Sequence, residues 1–207
     1  SLLIVSNLLT KYGTVMESDA LEAKFSQLHN TSAYLSDMME NLIWWSEWQL
    51  GVREITPEKV NVKSFITEIV SSYNEEAVIK NIKIHNKLIE NIYAVFDKKT
   101  IENAVRNLIS YTLKFSNKNG AIEITCKIEN NYACVNVSDN GTGIEEEKLK
   151  RIFDNMAKEE NFSEDSDAAT TLSLILAKEF IEANSGKIRV RSYQDKAAGF
   201  TFTLPMK

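Results

Sequence analysis

Between Leu21 and Leu42 apolar residues recur every seven positions, at Leu21, Leu28, Leu35 and Leu42. Phe25 and Met39 fill the intervening seam, and Ser32 and Ser46 dilute it. This is the spacing of a helix packed along one stripe. A shorter apolar stretch, Leu2 to Leu9, precedes it across a break near Tyr12 to Asp19. Together they predict a helical hairpin over residues 1–52. A hairpin alone leaves its seam open to water, so pairing with a second copy into a four-helix bundle is expected. Gly51 and Pro57 then mark a stop and a new start.

From residue 57 to 207 the periodicity changes repeatedly. Val62 to Lys80 predicts one amphipathic helix with Phe65, Ile66, Ile69, Val70 and Tyr73 on a single face. Asn81 to Phe96 predicts two short strands. Lys99 to Ser116 returns to helical spacing, with Ile101, Val105, Leu108, Ile109 and Leu113 inward. Ala121 to Val137 alternates as a hairpin turning at Asn130-Asn131. Leu172 to Ala183 predicts a helix, and Lys187 to Ser192 with Gly199 to Leu204 a second hairpin. Helices mixed with antiparallel strands predict an α+β, two-layer sandwich. Ala157 to Thr171, polar and without strong periodicity, is a candidate mobile loop.

Composition narrows the function classes. The 43% hydrophobic and 26% charged content suits a folded globular chain. A net charge of -5 gives no basic face for nucleic acid. No apolar run approaches the roughly 20 residues that span a bilayer, so this stretch reads as soluble. Cys126 and Cys134 make neither a disulfide framework nor a zinc site, which points to a reducing, cytoplasmic compartment. His29 and His85 lack metal-ligand spacing and read as ordinary helix and strand residues.

Several stretches, taken in order, resemble the sensor histidine kinase family, within the wider ATPase group that includes gyrase and the heat-shock chaperones. Asn107-Leu108-Ile109-Ser110-Tyr111-Thr112-Leu113-Lys114-Phe115-Ser116 is similar to its asparagine box. Asp139-Asn140-Gly141-Thr142-Gly143-Ile144 matches its first glycine box. Arg151-Ile152-Phe153-Asp154 resembles its phenylalanine box, and Lys178 to Ile188 the helix and turn near the end. Leu42 to Gly51 resembles the end of the dimerisation hairpin. Asp-Asn-Gly-Thr-Gly alone also reads as a simple turn, and Asn107 and Lys114 as solvated helix surface.

The resemblance implies an ATP site using Mg²⁺. Asp139 would accept a hydrogen bond from the adenine amino group as a buried carboxylate. Gly141 and Gly143, with Ile144 beside them, would let the backbone pass close to the nucleotide in turns of positive φ. Lys114 would reach the phosphates and Asn107 would be a magnesium ligand. Tyr111 stands where the family has a second asparagine, and a neutral phenol is a poor ligand for this hard cation. Ala169-Thr170-Thr171-Leu172-Ser173-Leu174 stands in place of a second glycine box, with its glycines replaced. Thr171 and Leu172 would border the nucleotide there; the bland reading is that Thr170 or Thr171 caps the following helix.

In the family, phosphoryl transfer goes from ATP to a histidine on the first hairpin helix. By the alignment of Leu2 to Leu9 that acceptor would fall roughly two turns before Ser1, so no catalytic residue is assigned within the chain. The expected partners are a second copy through the hairpin and a response regulator receiver domain, within a membrane-anchored parent. The expected function is the cytoplasmic catalytic part of a two-component sensor kinase. The alternative is a pseudokinase that keeps the fold for dimerisation and signal relay, with weak or absent ATP binding. Trp44, Trp45 and Trp48 read as packing residues at the end of the hairpin.

Overall fold

The computed structural model describes residues 18–52, 54–141, 168–193 and 197–207. The chain divides into two compact units, residues 1–53 and 54–207. In the first, α1 (Ser18–Gln49) is one helix of 32 residues. Its end is built by Gly51, at φ +63°. The Gly51 N–H donates to the Trp48 carbonyl, and the Val52 N–H to that of Glu47. This is the Schellman arrangement, which satisfies the last carbonyls and needs a left-handed residue. The predicted seam is largely exposed: Phe25, Leu35, Met39 and Leu42 all present apolar surface to solvent. Leu2 to Leu9, the other half of the predicted hairpin, lies outside the described residues.

The second unit carries β1 (Glu58–Asn61), α2 (Val62–Ser71), α3 (Asn74–Ile79), β2 (Lys83–Asn86), β3 (Tyr93–Phe96) and α4 (Lys98–Phe115). They are followed by β4 (Ala121–Glu129), β5 (Tyr132–Asp139), α5 (Ala168–Ala183), β6 (Ile188–Tyr193) and β7 (Ala197–Pro205). Five strands form one sheet in the order β2-β4-β5-β7-β6, and β1 pairs with β3 in a separate ribbon. Only β2 against β4 is parallel within that larger sheet. The β4–β5 hairpin turns at Asn130 and Asn131, both at positive φ, which asparagine tolerates better than most residues.

One face of the sheet is apolar. Ile122 and Ile124 on β4, Val135 and Val137 on β5, and Phe202 and Leu204 on β7 are wholly buried. Helix α4 covers it with Ile101, Val105, Leu108 and Ile109, and α5 with Leu174, Leu176, Phe180 and Ile181, all wholly buried. The opposite row, including Thr125, Asn136 and Thr201, is polar. This gives the expected α+β two-layer architecture.

Three expectations need correction. The span Val62 to Lys80 is two helices, because Ser72 and Tyr73 break it. The Ser72 side chain returns to the Ile69 carbonyl, a local bond that competes with helix continuation. The last helix begins at Ala168, four residues before the predicted start. Thr170 and Thr171 therefore lie inside its first turn and do not cap it. Strand β1 was not foreseen, since its apolar alternation is carried by Val60 alone, paired with Ala94 on β3.

Candidate functional site

Alternation decides where Asp139 points. It is the last residue of β5, directly opposite Ile122 and two residues beyond Val137. It therefore continues the core-facing row at the point where the apolar core ends, and it is half-buried rather than fully buried as expected. The Gly141 N–H donates to Asp139 Oδ1 at 2.5 Å, closing a turn around the carboxylate. A Cβ at Gly141 would stand 2.6 Å from that oxygen and 3.6 Å from the carbonyl of Phe115. An added side chain here would have to push the Asp139 carboxylate aside. The expectation of positive φ fails at Gly141, because Gly51 is the only described glycine in that region. Asn140 ties the corner down: the Ala121 N–H donates to its Oδ1 at 2.7 Å, and its own N–H donates to the Ala121 carbonyl.

The end of α4 forms the other wall. Tyr111 is 6% exposed. Its ring meets Phe200 of β7 edge-on at 5.3 Å and Phe115 at 4.5 Å. Phe200 is paired with Val137, so Tyr111 sits over the strand two residues before Asp139, and Phe115 over the turn beyond it. Lys114 is exposed, with its ammonium 5.3 Å from the Phe115 ring centre. Asn107, expected as a magnesium ligand or as solvated surface, is buried, and its Nδ2 donates to Asn103 Oδ1 at 3.0 Å. Leu172 is a buried residue of α5. Gly143, Ile144 and the stretch Arg151 to Asp154 lie outside the described residues, and of Thr171 only the helical backbone is described. The structure thus brings together Asp139, Gly141, Tyr111, Phe115 and Lys114. His85 is exposed on β2, in register with Glu123 and Ser138; it stands two strands from Asp139 and on the opposite face of the sheet.

A second polar cluster lies at the start of α4. Asp97 Oδ2 accepts from the Thr56 N–H and hydroxyl, and Oδ1 from the Thr100 N–H and hydroxyl. The Asp97 N–H donates to Asn184 Oδ1, and Asn184 Nδ2 donates to Thr100 Oγ1 and the Phe180 carbonyl. Burial pushes the Asp97 carboxyl up, but the hydrogen bonds from Thr100 and Thr56 outweigh it and hold its pKa below the ordinary 3.8. Sequence reasoning missed this group. Asp97 three residues ahead of Thr100 at a helix start was the available signal.

Residues 96–207, more than half of the chain, match the family model of the histidine kinase-, DNA gyrase B- and HSP90-like ATPase. The chain belongs to that ATPase family. Curated relatives are sensor kinases. The sensor histidine kinase WalK of Bacillus subtilis is 24% identical over 86% of this chain and 30% of its own length. The adaptive-response sensory kinase SasA of Prochlorococcus marinus is 30% identical over 72% of this chain and 40% of its own length. The chain spans between 21% and 40% of the length of the first curated relatives it matches. Among solved structures, the histidine kinase AdeS of Acinetobacter baumannii superposes with a TM-score of 0.70 at 20% identity, over 99% of this chain and 94% of that one. Histidine kinase ThkA, in complex with the response regulator TrrA, gives 0.72 at 20% identity, over 99% of this chain and 57% of that one. At these identities the likeness concerns the fold.

A histidine-kinase-type ATPase domain implies ATP, generally with Mg²⁺. The Asp139 corner fits the adenine end: a partly open carboxylate acceptor stands beside a glycine whose hydrogen leaves the approach clear. The described residues do not fit magnesium, which takes oxygen ligands in near-octahedral geometry. The Tyr111 phenol is packed between aromatic rings, and Asn107 brings one amide oxygen on a buried side chain. Among the described residues no three His, Cys, Asp or Glu groups converge on a metal position.

Proposed function

We propose that this chain is the nucleotide-binding part of a two-component sensor histidine kinase. Its ATPase domain binds ATP with the adenine amino group on Asp139 and the phosphates toward Lys114. The observation that carries this reading is the Asp139–Gly141 turn, a half-buried carboxylate held on the core-facing row of β5 by the Gly141 N–H, with a glycine where a side chain would displace it. The phosphoryl group would pass to a histidine upstream of this fragment. The helical segment would pair with a second copy, and a receiver domain of a response regulator would take the group onward. Among the described residues no helix is long and apolar enough to cross a membrane; we place this portion in the cytoplasm, below a membrane-anchored sensor. The family likeness of residues 96–207 and the sensor-kinase relatives support this reading.

A second reading has its own support. Tyr111 is packed into the core, and residues 169–173 run as helix where the family resemblance places a glycine turn. These favour a relay module that keeps the fold while binding ATP weakly. Calorimetric melts with and without ATP test the choice. Ligand at 100 times its dissociation constant stabilises by about 2.7 kcal/mol. For a chain of this size that raises Tm by roughly 5–10 °C. No shift at millimolar ATP would leave only the relay reading.

A further inference from the structure

We infer that the site at Asp139 takes an adenine nucleotide as the metal-free anion, and that Tyr111 sets this preference. The inference rests on the nucleotide reading above and adds the ionic form of the ligand. One face of α4 leads to the site. Asn103, Asn107, Tyr111 and Phe115 follow at intervals of four and so share one side of the helix. Oxygen donors occupy its far end and aromatic rings its near end.

Phe115 borders the Asp139–Gly141 turn, through a carbonyl 3.6 Å from where a Gly141 Cβ would be. Tyr111 is the next residue of that face, and its ring is held by Phe115 at 4.5 Å and Phe200 at 5.3 Å. A ring so placed cannot swing out as a ligand without opening the contact between α4 and β7. Asn107 lies two turns from Phe115, about 12 Å along the axis at 1.5 Å per residue. Its single amide oxygen belongs to a side chain 9% exposed whose nitrogen is already given to Asn103. Magnesium on a nucleotide needs at least one well-presented oxygen from the protein to favour the metal-bound form over the bare anion. This wall presents aromatic carbon and an exposed ammonium instead. Lys114 supplies positive charge to phosphate oxygens directly, and a divalent cation at the same phosphates would compete with it for them. Binding is therefore indifferent to magnesium or weakened by it.

Isothermal titration of the whole chain with ADP and with ATP, in excess magnesium chloride and in excess EDTA, tests this. The expected result is a dissociation constant in EDTA within about twofold of that in magnesium, or tighter. Binding clearly tighter in magnesium, by more than about twofold, overturns the inference and leaves the nucleotide reading intact. No binding under either condition overturns both. Two variants separate the roles. Tyr111→Asn should acquire a magnesium dependence of several-fold, and a variant that folds, by its melt, without acquiring one removes Tyr111 as the determinant. Lys114→Met should lose several-fold in ATP affinity in EDTA while adenosine affinity holds. An equal loss for adenosine, or none for ATP, removes Lys114 as the counter-charge.

Discussion

Asp97 receives four hydrogen bonds from two threonines and is 6% exposed, so its charge belongs to the fold. Its folded pKa is depressed, so the stability it contributes is present above the unfolded value, near 3.9. That contribution is lost as pH falls through the lower folded value. Asp97→Asn should cost at least about 2 kcal/mol at neutral pH, because an amide turns a donor toward Thr56 or Thr100. Urea unfolding of both proteins checks the sign: the gap should narrow as pH drops below about 4, and a gap that widens contradicts the assignment. At the site, Asp139→Asn keeps the shape and removes the charge. Hydrogen bonds to charged groups contribute about 1.5–3 kcal/mol, so titration should show ATP affinity falling at least tenfold. Burial, then the neighbouring Cys134 and Glu90, push the Cys126 thiol up to about 11. With almost no thiolate at neutral pH, Cys126 should resist alkylation in the folded protein and react after unfolding, as mass spectrometry would show.

Helices α4 and α5 are placed by their ends. Asn184, one residue past the end of α5, reaches both the Asp97 N–H and the Thr100 hydroxyl, linking the end of α5 to the start of α4. Ser185 then takes φ +59°, and Gly186 turns the chain toward β6. A Cβ at Gly186 would lie 2.1 Å from the Thr203 carbonyl oxygen and 2.9 Å from that of Ile181, both backbone atoms that cannot step aside. Gly186→Ala should therefore lower stability by about 3 kcal/mol or more, the upper range for overpacking. Gly51→Ala makes a useful contrast. Nothing lies within 4 Å of its added Cβ, so the cost is the left-handed backbone alone. Denaturation should report about 1–2 kcal/mol, confined to the first unit.

At the scale of the molecule, the first unit leaves an apolar seam in water while the second buries its own core. Phe25, Leu35, Met39, Leu42 and Ile43 are each more than two-fifths exposed, an amount of apolar surface that one helix does not keep in solution unaided. Pairing with a second copy along that seam is the proposed remedy. Light scattering should find a dimer at micromolar concentration. Leu35→Glu with Leu42→Glu should shift it to monomer and leave the melting of residues 54–207 within about 1 °C, because neither side chain belongs to that core. A dimer that survives both changes would place the contact elsewhere.

Much of this was legible from order alone. Seven-residue spacing announced α1, alternation announced the two hairpins, and Asn130-Asn131 and Gly51 marked the β4–β5 turn and the end of α1, because these depend on neighbours a few positions apart. Asp139 and Gly141 stood out as candidates for the same reason. Other features depend on residues that only folding brings together. Tyr111 looked like an exchange at a ligand position. Its packing against Phe200, 89 residues later, is what turns it into a wall. Thr56, Asp97, Thr100 and Asn184 are each ordinary in sequence and become one hydrogen-bonded group because a buried carboxylate must find its donors wherever the chain returns. Gly141 was expected to take positive φ; folding instead sets the Asp139 carboxylate oxygen 2.6 Å from where its Cβ would stand, a proximity that the order of residues does not show.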